Sequence, residues 1–445
     1  MAACMPLLFV HKLLQYKHFI TIFLLKKAYY GTLPKTRNGF FYFRQKLLYT
    51  LMEPIKQLYK DSFYKYLAQT SDKPLAIEVG GAEGIYFYDT NKKKYLDLIA
   101  GISVCNMGHS HPVILKAVKE QLDKYMHVMV YGELIQQPQV ELAEKVCSLL
   151  PASLNSVFFV NSGSEAVEGA LKLAKRYTGR TGLIHFHNAY HGSSHGAMSM
   201  MGNETYKNVF QPLLPDTKAI RFGAEEDLLQ ITDKTAAIMV EFIQGEAGVR
   251  IAPEEYWQKL KQRCEEMKTL LIADEIQTGV GRTGKLFAFE HYNITPDILL
   301  LGKAFGGGMP LGAFIADKKV MNVLTRNPVL GHITTFGGHP VCCAAGLAHL
   351  KLIIENEMWK NAAAMGEKLE EILWKIPYVQ EIRRKGLMIA VDFYDAQTNF
   401  TMLHSFLEKG LFSDWFLWCD TAMRIAPPLI LEEKNLMEIE LAINM

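Results

Sequence analysis

The stretch Ser156-Val-Phe-Phe-Val-Asn-Ser-Gly-Ser-Glu165 decides how the rest of the chain is read. Five residues of strand character run into a small polar turn. Behind the turn, Val167, Ala170, Leu171 and Ala174 recur at helical spacing on an otherwise charged segment. Strand, tight turn and helix make half of a βαβ unit, and the same alternation continues outward along the chain. Apolar runs at 183–186, 236–241, 270–274, 298–301 and 311–316 are separated by helix-length segments. Such runs read as strands buried on both faces, so the spacing predicts a mainly parallel sheet covered by helices. Helices are expected over about 111–125 and 139–150, and short strands at 85–88 and 95–98 around a turn at 89–94. Beyond 340 a helix-rich segment leads to short strands near 388–393 and 423–425. The expectation is an α/β protein with a large domain over 106–335. Residues 53–105 and 336–445, the two ends of the body, form a smaller α+β domain.

Composition narrows the class. Of 445 residues, 49% are hydrophobic and 21% charged, an ordinary globular balance that excludes disorder as the main theme. No run of 18 apolar residues occurs, so a spanning helix is not expected. A net charge of +2 excludes a polycation built to neutralise nucleic-acid phosphates. The seven cysteines are scattered without a C-x-x-C pair, which reads as reduced thiols in a cytoplasmic setting. Residues 1–51 hold six Lys, two Arg and no acid, leaving 40 basic against 46 acidic residues beyond them, a net of −6. This basic head reads as sequence upstream of a start at Met52. A mitochondrial presequence and a membrane-surface segment are the alternatives.

Two patterns mislead. Gly279-Val-Gly-Arg-Thr-Gly284 matches G-x-G-x-x-G, but the aromatic segment behind it does not open a helix as a dinucleotide site requires. His187 and His191 stand four apart, but Gly192 interrupts any helix that would aim both at one metal.

Three features carry chemistry. The turn Ser162-Gly163-Ser164 at a helix start offers hydroxyls, free N–H groups and close backbone approach, which suits a phosphate. Asp274 ends a buried strand, where a carboxylate points into the ligand crevice and calls for a cationic partner such as a protonated pyridine. Lys303, in Leu301-Gly-Lys-Ala-Phe-Gly-Gly-Gly308, follows an apolar strand, where desolvation frees its amine to attack an aldehyde. Phosphate cradle, pyridinium partner and aldehyde-trapping lysine are the three handles of pyridoxal 5′-phosphate.

The body, about 70–440, resembles the class III aminotransferases (ornithine, acetylornithine, 4-aminobutyrate and diamine). The motifs are Gly108-His-Ser-His-Pro112, Asn161-Ser-Gly-Ser-Glu165, His187-Asn-Ala-Tyr-His-Gly192, Glu241-Phe-Ile-Gln-Gly-Glu-Ala-Gly248, Asp274-Glu-Ile-Gln-Thr-Gly-Val-Gly-Arg-Thr-Gly284, Leu301-Gly-Lys303, Thr334-Thr-Phe-Gly-Gly338 and Arg424-Ile-Ala-Pro-Pro428. The resemblance implies an aspartate-aminotransferase-like fold with a seven-stranded sheet. It also implies that Lys303 holds the cofactor as a Schiff base and moves a proton, and that Asp274 keeps the pyridine nitrogen protonated. Gly163 and Ser164 would bind the phosphate, Tyr190 would stack on the ring, Gln277 would bond the ring oxygen and Ile276 would pack behind it. His191 and Glu241 fall in the cofactor motifs. Thr335 would reach the phosphate of a neighbouring subunit, making a homodimer part of the site. Arg424 would grip the carboxylate of 2-oxoglutarate, and Glu246 would mask Arg424 when an amine donor is bound.

Two departures bear on the donor. Ser193 stands where many members carry an Arg that clamps a donor carboxylate. Ile102 stands where ornithine-type members carry an aromatic. Together with the stretch after Tyr190, these features look closest to the diamine branch. The reading is therefore transfer of a terminal amino group from a diamine or ω-amino acid to 2-oxoglutarate. Acetylornithine or ornithine aminotransfer and an aminomutase are the alternatives. A non-catalytic relative would be expected to lose Lys303 or Asp274, and both are present.

Overall fold

The computed structural model describes residues 59–444, so the expectations for the basic head lie outside the described residues. The chain falls into two units, one up to Glu78 and one from Val79 onward. In the first, 59–66 is helical and 67–78 is irregular.

The second unit, among its described residues, is built on four sheets. It opens with an antiparallel meander, β1 (Val79–Glu83), β2 (Tyr86–Asp89) and β3 (Lys94–Asp97). Then come β4 (Ser156–Val160), β5 (Gly182–Phe186), β6 (Thr217–Ile220) and β7 (Thr235–Val240). A two-stranded ribbon, β8 (Ile243–Gln244) and β9 (Arg250–Ile251), leads to β10 (Leu270–Asp274), β11 (Ile298–Leu301) and β12 (Gly312–Ala316). Seven of these strands form one sheet in the order β4-β12-β11-β10-β7-β5-β6. All run parallel except β12, which is antiparallel to both its neighbours. The last strands are β13 (Glu381–Lys385), β14 (Met388–Asp392), β15 (Leu411–Phe412), β16 (Asp414–Phe416) and β17 (Cys419–Ile425). They form a sheet β13-β14-β17-β16, while β15 pairs in parallel with β3. Strands from the start of the unit and from its C-terminal part thus share a sheet.

The sheet follows from the sequence. Every residue of β7, β10, β11 and β12 is buried, as unbroken apolar runs require. The antiparallel β12 has a local cause. After β11 the chain makes a single 3₁₀ turn, Lys303–Gly306, and then Gly307 and Gly308 take positive φ, so it folds straight back without a crossover helix. The helix Gly163–Thr178 is capped by Ser162, whose Oγ accepts from the Glu165 amide at 3.2 Å, and ends on Gly179 at φ 68°. Its apolar stripe packs on the sheet so closely that a Cβ on Gly169 would come within 2.2 Å of the Phe314 ring. The expected helices lie at Pro112–Lys124 and Gln137–Cys147, and the helix-rich segment resolves into Pro340–Glu355 and Met358–Leu373. β6 and β13 went unread because Lys218 and the Glu381-Ile-Arg-Arg-Lys385 run break the apolar pattern. Both are edge strands, where a polar face costs little.

Candidate active site

The turns that follow β4, β10 and β11 meet at one edge of the large sheet. A Cβ on Gly163 would come within 2.8 Å of Ile276, and one on Gly302 within 3.4 Å of the Gly163 Cα. Glycine is what lets the cradle turn, the Asp274 turn and the Lys303 turn touch. The loop carrying Tyr190 closes on the same place. Gly192 sits at φ 123° with its missing Cβ only 2.2 Å from the Ser164 Oγ, which in turn accepts from the Ser193 amide at 3.3 Å. Ser162, Gly163 and Ser164 therefore stand together at the open N-terminus of a 16-residue helix, where a phosphate is favoured.

Asp274 is buried at the end of β10. Its Oδ1 accepts from the Ile276 amide at 3.0 Å, and its Oδ2 lies 2.6 Å from the His191 Nδ1. Burial opposes a charge on His191, but the bond to Asp274 and the charges of Asp274 and Glu241 outweigh it, so its pKa is raised. The other ring nitrogen, Nε2, is buried without a hydrogen-bond partner. Glu241, just past β7, accepts from the Tyr190 amide and the Gly245 amide, each at 3.1 Å. Burial lifts its carboxyl to about 7, against the pull of His191.

Lys303 stands at φ 47°, a strained conformation for a residue with a side chain. Burial lowers its pKa, with Glu246 working the other way, so the free amine is more accessible than on an ordinary lysine. Against its turn packs a second strained segment. Ala100, Gly101, Ile102 and Ser103 all have positive φ, between 49° and 62°.

Arg424 on β17 meets Glu246 with a two-pronged bond, Nη1 to Oε1 at 2.8 Å and Nη2 to Oε2 at 2.7 Å. Both are buried. Burial pushes the Glu246 carboxyl up, but Arg424 overrides it and holds the pKa below the usual value. The pair expected from the motifs is thus formed.

The remaining expected residues fall as follows. Tyr190 is half-buried, its hydroxyl 3.2 Å from the Ser193 Oγ. The Gln277 amide sits where a Cβ on Gly245 would be, 2.3 Å away. Thr335 is exposed on this single chain, while Thr334 Oγ1 accepts from the Asn161 amide group at 3.0 Å.

Sequence reasoning missed the frame behind the site. Arg282, inside the misleading glycine pattern, is wholly buried. It donates to the Leu387 carbonyl at 2.9 Å, the Pro427 carbonyl at 2.5 Å and the Asn106 Oδ1 at 2.6 Å, tying three distant segments together. Glu275 accepts from the Ala288 and Phe289 amides at 2.7 and 2.8 Å and so fixes the turn after Asp274. His109, in the first motif, bonds Asp97 at 2.8 Å, which lifts its pKa to about 10. A charged residue inside an otherwise apolar or glycine-rich motif was the available signal for all three.

The residues fit pyridoxal phosphate. A helix N-terminus and two serines await an anion, a buried carboxylate backed by histidine awaits a cationic ring nitrogen, and a lysine of lowered pKa awaits the aldehyde. Residues 66–444 match the family model described as aminotransferase class-III. The acetylornithine aminotransferase of Methanocaldococcus jannaschii is 38% identical over 84% of this chain and 93% of its own length. That of Methanopyrus kandleri is also 38% identical, over 80% and 90%. Among solved structures, an ornithine aminotransferase of Toxoplasma gondii superposes with a TM-score of 0.80 at 28% identity, over 87% of this chain and 93% of that one. An ω-transaminase of Thermomicrobium roseum superposes with a TM-score of 0.81 at 27% identity, over 87% and 97%. The chain, with its type I sheet and its strand-end lysine and aspartate, belongs to the class III aminotransferases.

Proposed function

We propose that this aminotransferase takes the terminal amino group of an N-acylated ornithine and passes it to 2-oxoglutarate. The donor reverses the order read from the sequence, which ranked a diamine first. Two relatives at 38% identity, both acetylornithine aminotransferases, support the change. A diamine donor remains as the second reading, carried by Ser193, which is exposed where a donor carboxylate would otherwise meet a cation.

The observation that carries the reaction is Lys303 with its depressed pKa, set one strand away from the Asp274–His191 pair. Pyridoxal phosphate, when bound, supplies an electron sink for the carbon that bears the amine. Lys303 would hold the cofactor through its Nζ, the atom at which it can also take up and return a proton. Asp274, oriented by His191 and by the Ile276 amide, would hold a proton on the ring nitrogen. Ser162, Gly163 and Ser164 bind the phosphate, with Thr335 reaching across from a second copy in a homodimer. Tyr190, Ile276 and Gln277 would help hold the ring. Glu246 covers Arg424 while the amine is bound and yields it to the acceptor carboxylate. Ile102 lines the donor side. Six free thiols among the described residues support a reducing, cytoplasmic compartment.

The test is the visible absorbance of purified, cofactor-loaded protein, mixed separately with N-acetylornithine, putrescine and 4-aminobutyrate. Bleaching by N-acetylornithine, with colour restored by 2-oxoglutarate, is expected. Bleaching by putrescine alone would move the donor to the second reading. Turnover without added 2-oxoglutarate would point to an aminomutase.

A further inference from the structure

Arg424 has two acidic neighbours, and the motifs account for one of them. Asp414 lies directly opposite Arg424 in the β16–β17 ladder, and its Oδ1 stands 3.0 Å from the Arg424 Nε. Two more contacts come from the same strand. The Trp415 carbonyl accepts from Nη2 at 3.1 Å, and the Phe416 ring lies 4.6 Å from the guanidinium carbon. These partners belong to one hairpin with Arg424. Glu246 arrives from a separate segment, the loop after β8.

Glu246 must leave Arg424 before an acceptor acid can take the fork, and a buried guanidinium with no counter-ion is costly. Asp414 stays when Glu246 goes. While Glu246 is in place, two carboxylates share one guanidinium and repel each other. Asp414's carboxyl is held up, to about 6, by burial first and by the charge of Glu246, against the pull of Arg424. The repulsion vanishes when Glu246 withdraws and returns when the acceptor binds. The interval between the two is the state that Asp414 favours, so its effect is on the rate of exchange rather than on either end state.

We propose that Asp414 is a positioning residue for the acceptor, the counter-ion that remains on Arg424 while Glu246 departs and the incoming carboxylate arrives. This rests on the proposed exchange of Glu246 for the acceptor on Arg424.

The test follows the two half-reactions separately, by stopped-flow absorbance of the loaded full chain carrying Asp414→Asn. The second-order rate constant of the amine-loaded form with 2-oxoglutarate is expected to fall about tenfold, while the donor half stays within about twofold. The dissociation constant of glutarate, an unreactive dicarboxylate, measured by calorimetry, is expected to stay within about threefold. A merely structural role would slow both halves alike, and that result overturns the proposal. No change in the acceptor half, or a loss of glutarate affinity matching the loss of rate, overturns it too. Should the Asn variant not fold, Asp414→Ser gives the same readout. Arg424→Lys separates the two layers of the argument. It slows the acceptor half whether or not Asp414 matters, and a Lys variant with an unchanged acceptor half overturns the Arg424 reading and this one with it.

Discussion

At the scale of single residues, two groups carry the sharpest expectations. Lys303→Ala should lower turnover by at least about 10³-fold while leaving the melting temperature within a few degrees, because the amine lost is chemically essential and its burial without a charge partner in hydrogen-bond reach among the described residues lowers its pKa. Normal turnover in that variant would remove the lysine from the reaction. Glu241 sets a pH dependence of stability. Its folded pKa, about 7, lies above the ordinary 4.5. Between those values the folded state keeps a proton that the unfolded state has released. The contribution is complete below the lower value and is lost as pH rises through the upper one, a loss of roughly 3 kcal/mol. The raised His191 acts in the same direction. Glu241→Gln, which mimics the protonated form, should flatten the fall in stability between pH 5 and 8 in denaturant titrations. An unchanged slope would show that Glu241 does not titrate there. Much of this scale was legible in the sequence, since Lys303, Asp274, Glu246 and Arg424 sit in motifs whose residue types announce their chemistry. Asp414 did not show itself, because Arg424 faces it across a ladder whose register the sequence does not display, and Arg282 stood out only as a charge in a glycine-rich motif, its partners lying far away along the chain.

At the scale of elements, the contact between the Gly163–Thr178 helix and β12 governs how well the cradle is aimed. Gly169→Ala would drive a methyl into the Phe314 ring and lift the helix off the sheet. Overpacking of this kind costs about 1–3 kcal/mol. A matching fall in melting temperature is expected, with weaker retention of cofactor on dialysis, because the N-terminal turn moves with its helix. Full stability in the variant would mean that the ring rotates away freely. The buried strands could be read from their unbroken apolar runs, and so could the capped helix after β4. The short polar edge strands β6 and β13 could not, because a strand with one face in water needs no apolar signature. Nor does the sequence show that β12 runs backward. That follows from the tight turn and paired glycines after Lys303, which leave no length for a crossover.

At the scale of the whole molecule, the proposed homodimer predicts a particle of twice the chain mass in analytical ultracentrifugation. Ile135, 95% exposed on the single chain, is an apolar side chain open to that contact. Ile135→Asp should shift the particle toward the monomer and lower activity in step, since Thr335 would no longer reach a second copy. A monomeric wild type with full activity would sink the shared-site reading. The antiparallel β12 has one more consequence, for the order in which the chain is completed. β4 borders only β12 in the large sheet, and β12 ends at Ala316, more than 150 residues after β4. A chain emerging from the ribosome therefore carries β4 without its one sheet partner until β12 has been translated. A nascent chain stalled ahead of Gly312 has the serines and the lysine but lacks the strand that joins β4 to the rest of the sheet.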